Sequence, residues 1–247
     1  MRFQYMSDLH LEMAGGAGFE IREITAPHLI LAGDIGDPRT DVYRDFIRRC
    51  SASYETVFVV LGNHEFYGMN AIEAPNAFAE AGFGTNVRLL NCTRHDFPTT
   101  GFRVVGATLW SEVPPDSADV QCFIQDYRRI MWWSVGANNA AHLVERRWLD
   151  AEITLAEADG VRLVVVTHHA PLLKGTSRPE HEGGPLNCAF ASDLRSLLRP
   201  PVCAWIHGHT HHSHVTRIGD GVVLTANQRG YPGENGAGFV EGAFVEV

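Results

Sequence analysis

The sequence predicts an α/β domain of three or four layers built on two mixed β-sheets, and three observations point to it. Short apolar runs alternate with longer amphipathic stretches in the early part of the chain. Toward the end, strand-like runs dominate. Hydrophobic residues make up 45% of the 247 positions, with no composition shift or low-complexity linker to divide them, so we expect a single domain over residues 1–247.

The elements follow in order. Apolar, β-branched runs set strands at 2–6, 28–32, 56–61, 88–91, 103–109, 162–167 and 202–207. A hairpin follows at 214–218 and 222–226, joined by Gly219-Asp220-Gly221, because Asp-Gly between two β-branched runs is a turn signal. Residues 243–247 read as a closing strand. Amphipathic periodicity predicts helices over 41–50, 71–81, 118–132, 139–158 and 189–198, with Gly82 and Gly160 where C-caps belong. Pro171, Pro179 and Pro185 bracket a polar loop at 172–187, a length that is uncommon unless the loop is functional or mobile.

Charge narrows the partners. The formal net charge is −9, which opposes loose binding to a phosphate backbone, so contact with nucleic acid is expected to be limited to short oligonucleotides. Phosphate chemistry stays open, because bound divalent metals would supply local positive charge. Five cysteines with no CxxC spacing read as reduced core thiols of a cytoplasmic protein. The N-terminus has no apolar signal-peptide region, and no run reaches the roughly 18 apolar residues of a membrane span.

One regularity locates the chemistry. Each strong strand runs into a polar, metal-competent cluster: Ser7-Asp8-Leu9-His10, Gly33-Asp34, Gly62-Asn63-His64-Glu65, His168-His169, and His207-Gly208-His209-Thr210-His211. In α/β sheets, ligands bind beyond the carboxyl ends of the strands. Taken singly, each cluster could be a turn, a cap or an adventitious histidine patch; together they would converge. Asp8 and His10 are two residues apart, as are His209 and His211, so in extended backbone each pair faces one side. Glycines before Asp34, Asn63 and His209 permit sharp turns. Carboxylate, amide oxygen and imidazole donors without thiolate suit manganese, iron or zinc better than calcium or magnesium.

The ordered set Asp-x-His, Gly-Asp, Gly-Asn-His-Glu, His, Gly-His-x-His resembles the calcineurin-like metallophosphoesterase family, with all five blocks in family order across residues 8–211. The resemblance implies a multilayer αββα sandwich of two mixed sheets flanked by helices, and a dinuclear metal centre. It assigns one metal to Asp8, His10, Asp34 and His211, and the other to Asp34, Asn63, His168 and His209, with Asp34 and a hydroxide bridging. Manganese is favoured, and iron, zinc, cobalt or nickel are compatible. His64 would protonate the leaving oxygen, the right task for a histidine near neutrality. Asp37 would hydrogen-bond His64, although Glu65 is also close in sequence. Pro38-Arg39 follows Asp37 where protein phosphatases of the family have Arg-Gly, which weakens that reading.

Other positions carry weaker signals. His169, Tyr67 and Arg229 are candidate substrate contacts. Trp132 and Trp133 read as core residues, and Tyr127-Arg128-Arg129 as an ion-paired helix face. The expected activity is hydrolysis of a small phosphodiester, with a phosphomonoester or nucleotide as the alternative substrate. A non-catalytic metal-binding scaffold and a nuclease are further alternatives. Oligomeric state is not readable.

Overall fold

A computed structural model describes residues 1–13, 18–219, 221–234 and 238–247. Asp220, in the expected hairpin turn, lies outside them. The strands are β1 (Arg2–Met6), β2 (His28–Ala32), β3 (Thr56–Val60), β4 (Val87–Leu89), β5 (Thr93–Phe97), β6 (Phe102–Ala107), β7 (Arg162–Thr167), β8 (Val202–His207), β9 (His214–Ile218), β10 (Val222–Ala226) and β11 (Phe244–Glu246). The helices are α1 (Asp41–Ser53), α2 (Glu73–Glu80), α3 (Ala118–Phe123), α4 (Asp126–Arg129) and α5 (Val135–Asp159).

The strands form two mixed sheets, ordered β11-β1-β2-β3-β4 and β5-β6-β7-β8-β10-β9. In the first, β1 to β4 run parallel and β11 is antiparallel. In the second, β6, β7, β8 and β10 run parallel, with antiparallel β5 and β9 at the edges.

Period-two alternation builds the layers. Phe3, Tyr5, Ile30, Phe58 and Val60 of the first sheet meet Val104, Val164, Val166, Ala204 and Ile206 of the second. On the outer face of the first sheet, Leu29, Leu31, Val57 and Val59 pack on Tyr43, Phe46 and Ile47 of α1. On the outer face of the second, Val105, Leu163, Val165 and Trp205 pack on Leu149, Ile153 and Ala156 of α5. Central strands are therefore buried on both faces, and slipping one by a residue would exchange two cores at once. Parallel pairing then brings the carboxyl ends of β1, β2, β3, β7 and β8 to one edge.

Several elements depart from expectation. The single helix expected over 118–132 is broken at Ile124, which is extended (φ −79°, ψ 127°), so that Asp126 can turn inward and be buried. The expected helix over 189–198 is replaced by 3-10 turns at Asn187–Ala189 and Arg195–Leu197, because Ala191 makes a bridge to Ala170 between them. Strand β5 is polar and was not expected; as an edge strand its outer side needs no apolar residues. Helix α5 starts earlier than predicted because Ser134 caps it, accepting from the Ala137 amide at 3.1 Å. It ends at Gly160 with φ +66°, as expected. Trp132 is 81% exposed rather than core. Arg129 lies over the Tyr67 ring rather than in an ion-paired face. All five cysteines are free, but only Cys50 is buried. No helix among the described residues is long and apolar enough to cross a membrane.

Candidate metal centre

Seven side chains meet beyond the strand ends. Asp8 and His10 follow β1, Asp34 follows β2, Asn63 follows β3, His168 follows β7, and His209 and His211 follow β8. The backbone turns sharply to aim them: Asp8, His10, Asp34, His209 and His211 have φ of +55°, +47°, +52°, +73° and +48°. This left-handed conformation costs a non-glycine residue roughly 1–2 kcal/mol, so surrounding structure must hold it. Amide bonds do so, from Asp8 to the Gly33 carbonyl and from His10 to the Asp34 carbonyl, both at 3.0 Å. Gly33 at φ +89° and Gly208 leave the room required. A Cβ on Gly208 would lie 2.7 Å from Asp8 Oδ2 and 2.8 Å from the Ala32 carbonyl.

Glu65 ties two of these turns together. Its fully buried carboxylate accepts from the amides of Asp34 (3.0 Å) and Gly62 (2.7 Å) on one oxygen, and from Ile35 (2.7 Å) and Gly36 (3.3 Å) on the other. Burial, reinforced by the Asp34 charge, pushes this carboxyl up to about 8.

The donors form three overlapping groups that suit cations, one of them His10, Asp34 and His64. Ligand atoms of Asp8, His10 and His211 lie within 4.8 Å of one another, as do those of Asp34, His168 and His209. Three imidazoles spend Nδ1 on an outer acceptor: His10 on Glu12 (3.3 Å), His168 on the Ala32 carbonyl (2.9 Å) and His211 on Glu234 (2.7 Å). With Nδ1–H donated, each Nε2 presents a lone pair inward. These lone pairs face other acceptors. His10 Nε2 is 3.1 Å from His211 Nε2, and His168 Nε2 is 3.0 Å from Asn63 Oδ1 and 3.4 Å from Asp34 Oδ1. Converging lone pairs need positive charge between them, and the donor set fits divalent transition metals. Proton affinities show the same demand. Burial alone would lower His168, but the Asp34 carboxylate pushes it up to about 10, and Asp8 likewise outweighs burial to push His211 up to about 9.

The remaining expected residues separate. Tyr67 lines the cavity beside the centre, and His64 lines it with Nε2 3.9 Å from Asp34 Oδ2 and 3.3 Å from the Tyr231 hydroxyl. The contact expected between Asp37 and His64 is absent. Asp37 is engaged by the Arg39 guanidinium at 2.9 and 2.7 Å, and His64 Nδ1 reaches Glu12 at 2.8 Å. His169 is buried against the His209 ring, 4.0 Å between centroids, and does not reach the cavity wall. Arg229 lies over Phe19 and donates to the Leu9 carbonyl at 3.3 Å.

Four neighbours of the centre were not among the expected site residues. Glu12 bonds both His10 and His64, and its place in the alternation Asp8, His10, Glu12 was the available signal. Asp126 accepts from the Asn63 amide nitrogen at 2.8 Å, which turns the amide oxygen toward His168. Nothing in its helix-like surroundings marks it. Tyr231 packs on His10 and His211 at 4.5 and 4.6 Å. Glu234 orients His211.

The cavity beside the centre has a volume of 580 Å³. Asp34, Asn63, His64, His209 and His211 form one part of its wall. Apolar Phe123, Ile124, Pro185, Leu186 and Phe190 form another. Among the described residues no lysine or arginine lines it, whereas Asp126, Glu180 and Glu234 do.

Known proteins are similar to this chain in sequence or in fold. An uncharacterized protein of Acanthamoeba polyphaga mimivirus is 27% identical over 274 residues, covering 99% of this chain and 96% of its own. The phosphopantetheinyl hydrolase of Mycobacterium tuberculosis superposes with a TM-score of 0.70 at 18% identity, over 93% of this chain and 89% of that one. A dimetal phosphatase from Danio rerio gives 0.51 at 16% identity, over 92% and 86%. At these identities the two solved structures establish the fold. The calcineurin-like phosphoesterase model matches residues 1–213, a span that contains every strand-end cluster just described. With that match added to two mixed sheets whose ends gather carboxylates and imidazoles in cation-sized groups, the chain belongs to the calcineurin-like phosphoesterase family, hydrolases of phosphate esters.

Proposed function

We propose that this chain, as a single domain, hydrolyses a small phosphodiester at a dinuclear centre. The observation that carries the reading is the convergence of the His10, His168 and His211 lone pairs on the oxygens of Asp8, Asp34 and Asn63. In this reading Asp8, His10, Asp34 and His211 hold one cation, and Asp34, Asn63, His168 and His209 the other. Asp34, whose carboxylate belongs to more than one donor group, would be common to both. Manganese is the proposed metal. Two such cations supply Lewis acidity toward the phosphoryl oxygens and an activated nucleophile at neutral pH.

The chain's own groups do the rest. Glu12, Glu234 and the Ala32 carbonyl fix which imidazole nitrogen faces inward. Asp126 fixes the Asn63 amide. His64 donates one proton from Nδ1 to Glu12 and, when charged, carries a second on Nε2 at the cavity wall. Burial would lower its proton affinity, but Asp34 and Glu12 raise it above the ordinary histidine value, so Nε2 is suited to protonate a leaving alkoxide. A monoanionic diester suits a wall without lysine or arginine better than a dianionic monoester does. The name of the Mycobacterium tuberculosis neighbour also supports a small organic ester as the kind of substrate. Five free thiols agree with a reducing, cytoplasmic setting.

The test is elemental analysis of purified protein, followed by assay of mono- and diesters after reconstitution with manganese. Two metals per chain, diester turnover, and retention of metal but loss of turnover in His64→Ala are expected. Full metal content with no hydrolysis of any aryl phosphate would overturn the reading.

A further inference from the structure

We infer that the ester carries an uncharged, partly apolar arm, and that the cavity selects against substrates bearing a second anionic group. This rests on the phosphodiesterase reading above and adds which diesters it takes. Two segments that the mechanism leaves idle build the relevant wall. One is the end of α3 and the residues after it, Phe123, Ile124 and Gln125. The other is the loop that supplies Pro185, Leu186 and Phe190. Phe123 is 65% exposed and Leu186 and Phe190 are partly exposed, an apolar surface left open at the mouth of a 580 Å³ cavity. A cavity of that size accepts a group well beyond the phosphoryl itself.

Charge sets the second half of the preference. The carboxylates around the wall are of two kinds. Asp126 is occupied by Asn63 and Tyr67, and Glu234 by His211 and the Tyr231 amide. Neither is free to grip a cationic arm. Glu180 stands exposed on the rim. The cations nearby are also engaged, since Arg178 pairs with Glu234 at 3.4 Å and Arg129 lies over the Tyr67 ring at 4.3 Å. A phosphate or carboxylate on the arm would therefore sit among like charges; of the four histidines on the described wall, His64, His209 and His211 belong to the candidate centre and His181 alone lies outside it.

The test compares two diesters with the same leaving group, 4-nitrophenyl phenyl phosphate and 4-nitrophenyl 4-carboxyphenyl phosphate, on the manganese-reconstituted full chain. The phenyl ester is expected to have kcat/KM at least about tenfold higher, mainly through KM. In Glu180→Lys that ratio should fall to about threefold or less, as the rim charge reverses. In Phe123→Ala the KM for the phenyl ester should rise about fivefold, from lost apolar contact. A wild-type ratio near one, or a preference for the carboxylate, overturns the inference while leaving the phosphodiesterase reading intact. So does a ratio that Glu180→Lys does not move. Failure to hydrolyse either diester, with 4-nitrophenyl phosphate turned over, overturns the diester reading and this inference with it.

Discussion

Replacing Glu65 by Gln should unfold much of what holds the centre, and the size of the effect can be worked out from its four hydrogen bonds. One carboxylate oxygen accepts from the amides of Asp34 and Gly62, the other from Ile35 and Gly36. Glutamine keeps one oxygen and turns an amide nitrogen toward two N–H groups. Both are then buried without a partner, at about 1–3 kcal/mol each, giving a loss of about 2–6 kcal/mol. A domain of this kind has about 5–15 kcal/mol in total, so the loss is large. The assay is urea unfolding of chelator-treated protein, so that metal affinity does not enter. Because the carboxyl is pushed up to about 8, the comparison belongs near pH 9, where it carries its charge. A variant within about 0.5 kcal/mol of the parent would refute the idea that this side chain clamps the two turns.

Further outcomes are expected. Glu12→Gln should lower kcat about tenfold and move the basic limb of the pH–rate profile about one unit downward, because His64 must be protonated and one of the anions raising it is gone; an unmoved limb would remove Glu12 from that role. Gly208→Ala should sharply reduce metal content, since the new methyl meets Asp8 and the Ala32 carbonyl, and elemental analysis checks it. Asp34→Asn should lose both cations together rather than one, as titration with manganese would show. His214 gives a pH dependence of stability. It donates to His207 at 2.9 Å, its Nδ1 has no partner among the described residues, and burial followed by the charges of His207 and His212 lowers it to about 3. The unfolded chain takes a proton below about pH 6.5 that the folded one refuses, so stability should fall by up to about 1.4 kcal/mol per unit as the medium acidifies toward pH 3. Urea midpoints in His214→Gln should show a shallower decline.

Strand positions were legible because apolar period and strand-end polarity coincide in the same short segments, as in 28–34 and 202–211. The central strands are buried on both faces, so their runs are nearly pure Val, Ile and Leu. Strand β5 was illegible for the converse reason: an edge strand with Arg94 and Asp96 outward reads as loop. The break at Ile124 was hidden because the residues around it have helical periodicity, and only the burial of Asp126 under Asn63 decides the matter. The seven expected ligands come together because spacing and residue type both constrain them. The partner of His64 did not follow, since Glu12 stands 52 residues away in sequence, while Asp37, the expected partner, is taken by the Arg39 guanidinium. Substrate contacts were the least readable. Arg229 offered a charge, yet its backbone directs it to Phe19.

Two of the three groups of cation-sized donors draw on both sheets: Asp8 and His10 with His211, and Asp34 with His168 and His209. An ion held there would act as a rivet through the sandwich, fastening two layers that otherwise adhere by apolar contact and a few hydrogen bonds such as Tyr5 to Thr225. Acquisition of metal would then report that the whole chain from the first strand to the eighth has closed, and stripping it would loosen the halves against each other before either one came apart.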